Sequence, residues 1–257
     1  MRSTSKFFLP ALGALAVLGW VGCNTVYPTN YLSTGGPSAA TAIDFESGTG
    51  VNPTLAEANR PGNQVILPGA AMVINPTSGY GTGSGALASP GANGTGFCYH
   101  VSGAVTDTGN ATYPSLQLQI PLEKSPSVTA YSDAQLFTGV KFYLKVMGTD
   151  NAGKRVFSIP VAQTEPPSAG GDCNLSAPSN ACYNDFVVNY ASTGGVWQST
   201  TAPFATFTRG AYGAAISPTT LSGLNLQQIL YLDWAESNNN VPGNLTIDFY
   251  VDEVQFY

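Results

Sequence analysis

The last thirteen residues, LTIDFYVDEVQFY (245–257), constrain the fold more than any other stretch. Ile247, Phe249 and Val251 alternate with Asp248, Tyr250 and Asp252. Period two places apolar side chains on one face of a β-strand and acids and phenols on the other. Such a strand packs one side on a core and shows the other to water or to a ligand. So late in the sequence, it must join strands already made. The expected partner is Ala42-Ile43-Asp44-Phe45-Glu46, which has the same alternation and two further carboxylates.

The rest of the chain repeats this grammar: short alternating runs broken by Gly, Pro, Asn and Ser, with no sustained period of 3.6 residues. Strands are expected at 42–46, 70–75, 97–104, 115–122, 138–147, 155–161, 185–190, 196–204, 229–235 and 245–256. Strands so spaced imply an all-β sandwich or barrel. Residues 49–96 are unusually rich in Gly and Ser, and only the strand at 70–75 is assigned there. Alternation also assigns faces. Phe97, Tyr99, Val101, Leu116, Leu118 and Ile120 point inward, as does Trp234. The outward set holds Cys98, His100, Ser102, Gln117, Gln119, Lys141, Tyr143, Lys145, Tyr231, Asp233, Asp248 and Tyr250.

The N-terminal segment reads as an address. Arg2 and Lys6 precede an apolar run from Phe7 to Val21, short of the ~20 residues that span a bilayer. It ends in Gly22-Cys23, which resembles the lipobox in which the Cys is acylated, although Trp20 stands where Leu is usual; the other reading is an ordinary cleaved signal peptide. The expected division is a leader over 1–22, a polar tether over 23–40 starting at lipidated Cys23, and one domain over 41–257. The protein would then be exported and membrane-anchored by lipid alone. Without the leader, seven basic residues face 15 acidic ones, a net charge of −8. Only 9% of the whole chain is charged. So acidic a surface excludes the basic footprint that nucleic acid requires. Cys173 and Cys182 share one polar loop and are expected to bridge, worth roughly 2–3 kcal/mol in chain entropy. Cys98 is left as a buried thiol.

Five runs, in order, resemble the galactose-binding-like jelly rolls, and among them family 11-type carbohydrate-binding modules. IDFESG (43–48) is similar to their IDDFEDG opening. YSDAQLFTGVKFYLKV (131–146) is similar to a strand of the form Y-D-A-S-x-Y-x-G-I-x-F-W-x-K. GGDCNLSAPSNACYNDF (170–186) resembles a cysteine loop of lipoprotein members, VWQSTTAPF (196–204) a W-x-x-x-x-V-P-F strand, and IDFYVDEVQFY (247–257) the closing F-D-L-W-I-D-D-V-x-F. The resemblance spans nearly the whole expected domain. It implies a two-sheet antiparallel β-sandwich (jelly roll) that is non-catalytic. It also implies a structural Ca²⁺ where the first and last strands meet, with Glu46 and Asp252 at the ligand positions and Asp44 and Glu253 beside them. Hard carboxylate oxygens are what Ca²⁺ takes. Trp197 matches a position that is structural in that family.

His100, Gln117, Gln119, Lys141, Tyr143, Tyr231, Asp233, Asp248 and Tyr250 mix planar amides, phenols and charges. Sugar recognition needs that mixture, since rings cover the apolar side of a pyranose while amides and carboxylates bind hydroxyls. Tyr80 and Tyr212, in Gly-flanked loops, are further platform candidates. The bland alternative is a solvated β face. The expected function is a non-catalytic polysaccharide-binding module on an envelope lipoprotein; the alternative is a structural or adhesive lipoprotein with the same fold and no sugar site. An enzyme is disfavoured. His100 is the only histidine, no G-x-S-x-G elbow occurs, and the available carboxylates (Glu123, Asp133, Asp233, Glu236, Asp248) form no signature.

Overall fold

The computed structural model describes residues 29–31, 42–43, 71–75, 81–94, 96–107, 114–121, 131–135, 137–147, 154–174, 182–209, 220–237 and 243–257. The expected leader, Cys23, Asp44, Glu46, Tyr80, Glu123 and Tyr212 lie outside them.

The strands, in chain order, are β1 (Thr29–Tyr31), β2 (Ala42–Ile43), β3 (Ala71–Asn75), β4 (Gly81–Ala88), β5 (Cys98–Asp107), β6 (Ser115–Pro121), β7 (Tyr131–Asp133), β8 (Gly139–Val146), β9 (Lys154–Ile159), β10 (Phe186–Asn189), β11 (Gln198–Pro203), β12 (Thr208–Arg209), β13 (Tyr231–Ser237) and β14 (Gly243–Phe256). Sheet I runs β11-β8-β14-β5-β4, with β2 added on β14. Sheet II runs β12-β10-β9-β13-β6-β3. Both are antiparallel, and their inner faces share one apolar core. This is a two-sheet β-sandwich. Aromatic rings tie the layers together. Phe142 of sheet I meets Trp234 of sheet II edge-on at 5.2 Å, and Trp234 stacks on Phe157 at 4.6 Å. Rings in these arrangements add to the apolar area they bury.

The ten expected strands are found, with shifted ends, and the expected pairing of the last strand with residues 42–46 is present at Val254↔Ile43 and Gln255↔Ala42. Four strands were not expected: β1, β4, β7 and β12. β1 falls within the stretch read as tether and pairs in parallel with β7. β4 has the sequence GTGSGALA, which has little strand propensity of its own. It forms because β5 presents a glycine opposite it. A Cβ on Gly103 would come within 2.6 Å of Gly83 Cα, so the two backbones approach this closely only where β5 lacks a side chain.

β14 closes nothing at an edge. It is the middle strand of sheet I, with β5 on one side and β8 on the other. Its inward residues are Ile247, Phe249 and Val251, then Val254 and Phe256. The step from Val251 to Val254 is three residues, which period two cannot deliver. The chain takes up the extra residue in a bulge between Asp252 and Gln255, with Glu253 at φ 46°.

Candidate functional site

The outward residues predicted to converge do not share a face. His100, Lys141, Tyr143, Asp248 and Tyr250 lie on sheet I. Gln117, Gln119, Tyr231 and Asp233 lie on sheet II, on the opposite side of the sandwich. Period two gives the face of each strand but not the sheet it joins.

Sheet II's outer face is largely covered. Gln119 Nε2 donates to Gln117 Oε1 at 3.0 Å, and Gln117 Nε2 to Ser115 Oγ at 3.0 Å, so the amides are occupied with each other. Asp233, expected to be open, is 7% exposed. Its Oδ2 accepts from Ser158 Oγ at 3.3 Å, and its Oδ1 is buried with no hydrogen-bond partner. Above it lies the segment after β9, where Glu165 is hydrogen-bonded to Asp185 and Tyr231. The Cys173–Cys182 disulfide, formed as expected with Cα atoms 5.5 Å apart, staples this segment. Burial, then the Asp185 charge, pushes Asp233 up to about 8. Burial and the Asp185 charge also push Glu165 up, and burial raises Asp185. The Tyr231 phenol rises well above its ordinary value, first by burial and then by the Glu165 charge. Asp233 and Glu165 are carboxyls kept protonated by a dry site, while Asp185, raised only to about 6, supplies the charge beside them.

Sheet I's outer face is open and ordered. Register places Ala86, His100, Tyr250 and Lys145 in one row across β4, β5, β14 and β8. Trp197, just before β11, extends that row past Lys145. His100 stacks on Tyr250, centroids 4.0 Å apart and planes within 3°. Lys145 Nζ lies 4.6 Å from the centroid of Tyr250 and 6.0 Å from that of Trp197. The Trp197 ring stands edge-on to Tyr250 at 6.1 Å. His100 Nε2 donates to Asp248 Oδ1 at 2.9 Å; a carboxylate only accepts, so Nε2 carries the proton. The side chains of His100 and Asp248 are 26% and 35% exposed, fixed yet reachable. Burial, then the Asp248 charge, raises the Tyr250 phenol, which stays a neutral hydroxyl.

Trp197, which matches a position structural in the family the sequence resembles, is half-buried on the surface row instead. The reason is local. Gly194 and Gly195 take φ 63° and 79°, a left-handed turn that residues with a Cβ resist. The turn is pinned to the end of β8: Gly195 N–H donates to Val146 O at 2.8 Å, and Val146 N–H to Thr193 Oγ1 at 2.9 Å. Trp197 therefore enters opposite Lys145, beside exposed Val196 and Met147. Trp234 is buried, as expected. Tyr143 lies one pleat from Lys145, and Lys141 two.

One end of this face is closed. Cys98 points outward by register but is fully buried, its Sγ 3.4 Å from Ala88 O, beneath the turn that follows β4. Asp252, in the same pleat row, is also fully buried; Oδ2 accepts Ala92 N–H at 2.7 Å and Oδ1 accepts Glu253 N–H at 2.8 Å. On the strand that takes β2, this carboxylate offers oxygens of the hard kind that Ca²⁺ takes, and each already accepts one backbone N–H. Among the described residues no group of three His, Cys, Asp or Glu could hold a metal. Asp44 and Glu46, the other expected ligands, lie outside those residues.

The chain matches no protein-family model and no curated protein. Solved structures align with part of it. A family 11 carbohydrate-binding module of the cellulosomal cellulase Lic26A-Cel5E of Clostridium thermocellum aligns at TM-score 0.47 and 16% identity, over 73% of this chain and 86% of that one. The family 11 module from Clostridium thermocellum in complex with a β-1,3-1,4-mixed-linked tetrasaccharide aligns at 0.44 and 17%, over 73% and 87%. SGBP-B, from a complex xyloglucan utilization locus in Bacteroides uniformis, aligns at 0.38 and 16%, over 77% of this chain and 51% of that one.

Proposed function

We propose that the protein is a non-catalytic polysaccharide-binding module whose site is the outer face of sheet I. The observation that carries this is the row His100–Tyr250–Lys145–Trp197 with Asp248 beside it. Both faces of the Tyr250 ring are covered, by His100 and by Lys145, so Tyr250 serves as a rigid spacer. The surfaces left for a sugar are the Trp197 ring with its Val196 and Met147 rim, and the side of His100 over the exposed methyl of Ala86. Asp248 and the Tyr250 hydroxyl supply polar groups between them. A preordered row of this kind costs little side-chain entropy when a glycan binds. The test is affinity electrophoresis through gels containing a panel of polysaccharides, with the Trp197→Ala/Tyr250→Ala double variant as comparison. Retention on at least one polymer, lost in the variant, is expected; wild-type protein that migrates freely through every gel refutes the proposal.

In this reading the chain is exported and acylated at Cys23, and the polar stretch after it, which includes β1, joins the lipid to the domain. Palmitate labelling that persists in Cys23→Ser would overturn that part. The reading also includes a structural Ca²⁺ held by Asp252 with Asp44, Glu46 and Glu253. A ligand at a hundredfold its Kd stabilises by about 2.7 kcal/mol. Calcium should therefore raise the melting temperature of the wild type and leave Asp252→Asn unmoved.

A further inference from the structure

Resting on that reading, we infer that the glycan bound by sheet I is anionic, a polymer carrying carboxylate or sulfate groups that Lys145 receives. The argument starts from how this chain uses its few cations. Arg155 is buried and paired with Glu236 at 3.0 Å. Arg209 donates to Asn184 O at 3.2 Å and lies over the Phe186 ring. Lys141 and Lys145 differ. Among the described residues neither has a carboxylate within salt-bridge reach. Both point outward from β8 on the face that carries the row.

Lys145 is not a loose surface lysine. Its ammonium is held over Tyr250 and near Trp197, which fixes the charge in place without neutralising it. The nearby acid on the row, Asp248, is already engaged by His100. Along β8 the outward sequence is Lys141-Tyr143-Lys145, so the two cations stand roughly 13 Å apart at ~3.3 Å per residue. A glycan lying across the strands with its apolar faces on Trp197 meets the Lys145 charge within the row, and Lys141 adds a second cation to one side of it.

The whole molecule disfavours this ligand in a non-specific way. The sequence carries a net charge of −6, so long-range forces repel a polyanion. Retention of an anionic polymer would therefore report a local site.

The experiment is affinity electrophoresis with polygalacturonate, a sulfated galactan and a neutral mixed-linked glucan, on the wild type, Lys145→Gln and Lys145→Arg. Thermal melts confirm that each variant is folded. Retention by one anionic polymer is expected, and which one answers decides between carboxylate and sulfate. Lys145→Gln should weaken it about tenfold or more, the scale of a lost charge-assisted hydrogen bond. Lys145→Arg should restore most of it, and 0.5 M salt should weaken the wild type toward the variant. Retention on the neutral glucan alone, or anionic retention that survives Lys145→Gln, overturns the inference and leaves sheet I as a glycan site. Failure on every polymer overturns both.

Discussion

The two sheets treat their polar residues in opposite ways. Sheet II buries them on both faces: Arg155 and Glu236 point into the sandwich, and Asp233 sits under a disulfide-stapled cover outside it. Sheet I, apart from buried Asp107 and Asp252, keeps its interior apolar and orders its outward polar groups against one another at the surface. Both satisfy the same alternation in sequence. The contrast teaches that an outward position in the pleat is not an exposed one. What lies over the strand decides whether a polar group serves stability or recognition.

The comparison breaks most readily at the buried ion pair. Removing one partner of such a pair strands a charge, at a cost of about 3–5 kcal/mol. Glu236→Ala should lose that much in urea unfolding; a loss under about 1 kcal/mol would mean that water reaches Arg155. Next comes the cover. Reducing Cys173–Cys182 should cost roughly 2–3 kcal/mol and speed hydrogen exchange around 160–185 while leaving β5 and β14 protected.

pH separates the sheets further. When folded, Asp233 and Glu165 keep protons that the unfolded chain gives up near pH 4. The folded state thus binds more protons between about pH 4 and 8–9, and stability falls as pH rises through that window. Melting temperature should decline from pH 5 to pH 9, and Asp233→Asn should shrink the decline by about 2–4 °C per kcal/mol recovered. A flat profile would show the carboxyls to be solvated. The smallest effect on stability belongs to sheet I. Trp197→Ala/Tyr250→Ala should shift the unfolding free energy by about 1 kcal/mol while abolishing glycan retention, since half-exposed side chains contribute little to folding.

The sequence made strand positions and faces legible because every strand buries one side and the pleat period is fixed. Even the bulge was within reach: Val251-Asp252-Glu253-Val254 breaks the alternation by one residue. Sheet membership was not legible. Tyr143 and Tyr231 look equivalent in sequence, yet one stands on sheet I and the other under the cover of sheet II, because pairing is long-range. β4 escaped because its glycines have meaning only opposite Gly103. Trp197 escaped because its family resemblance outweighed the Gly194-Gly195 turn that turns it outward.

The central place of β14 has a consequence for the order of assembly. β4 and β5 form one half of sheet I, β8 and β11 the other, and the two halves make their backbone hydrogen bonds to β14. Residues 243–256 emerge from the ribosome after all of them. Until then each half presents a bare edge, and half of the core has no lid. Sheet I is therefore a lock whose bolt follows the parts it fastens: its two halves are joined only once residues 243–256 lie between them.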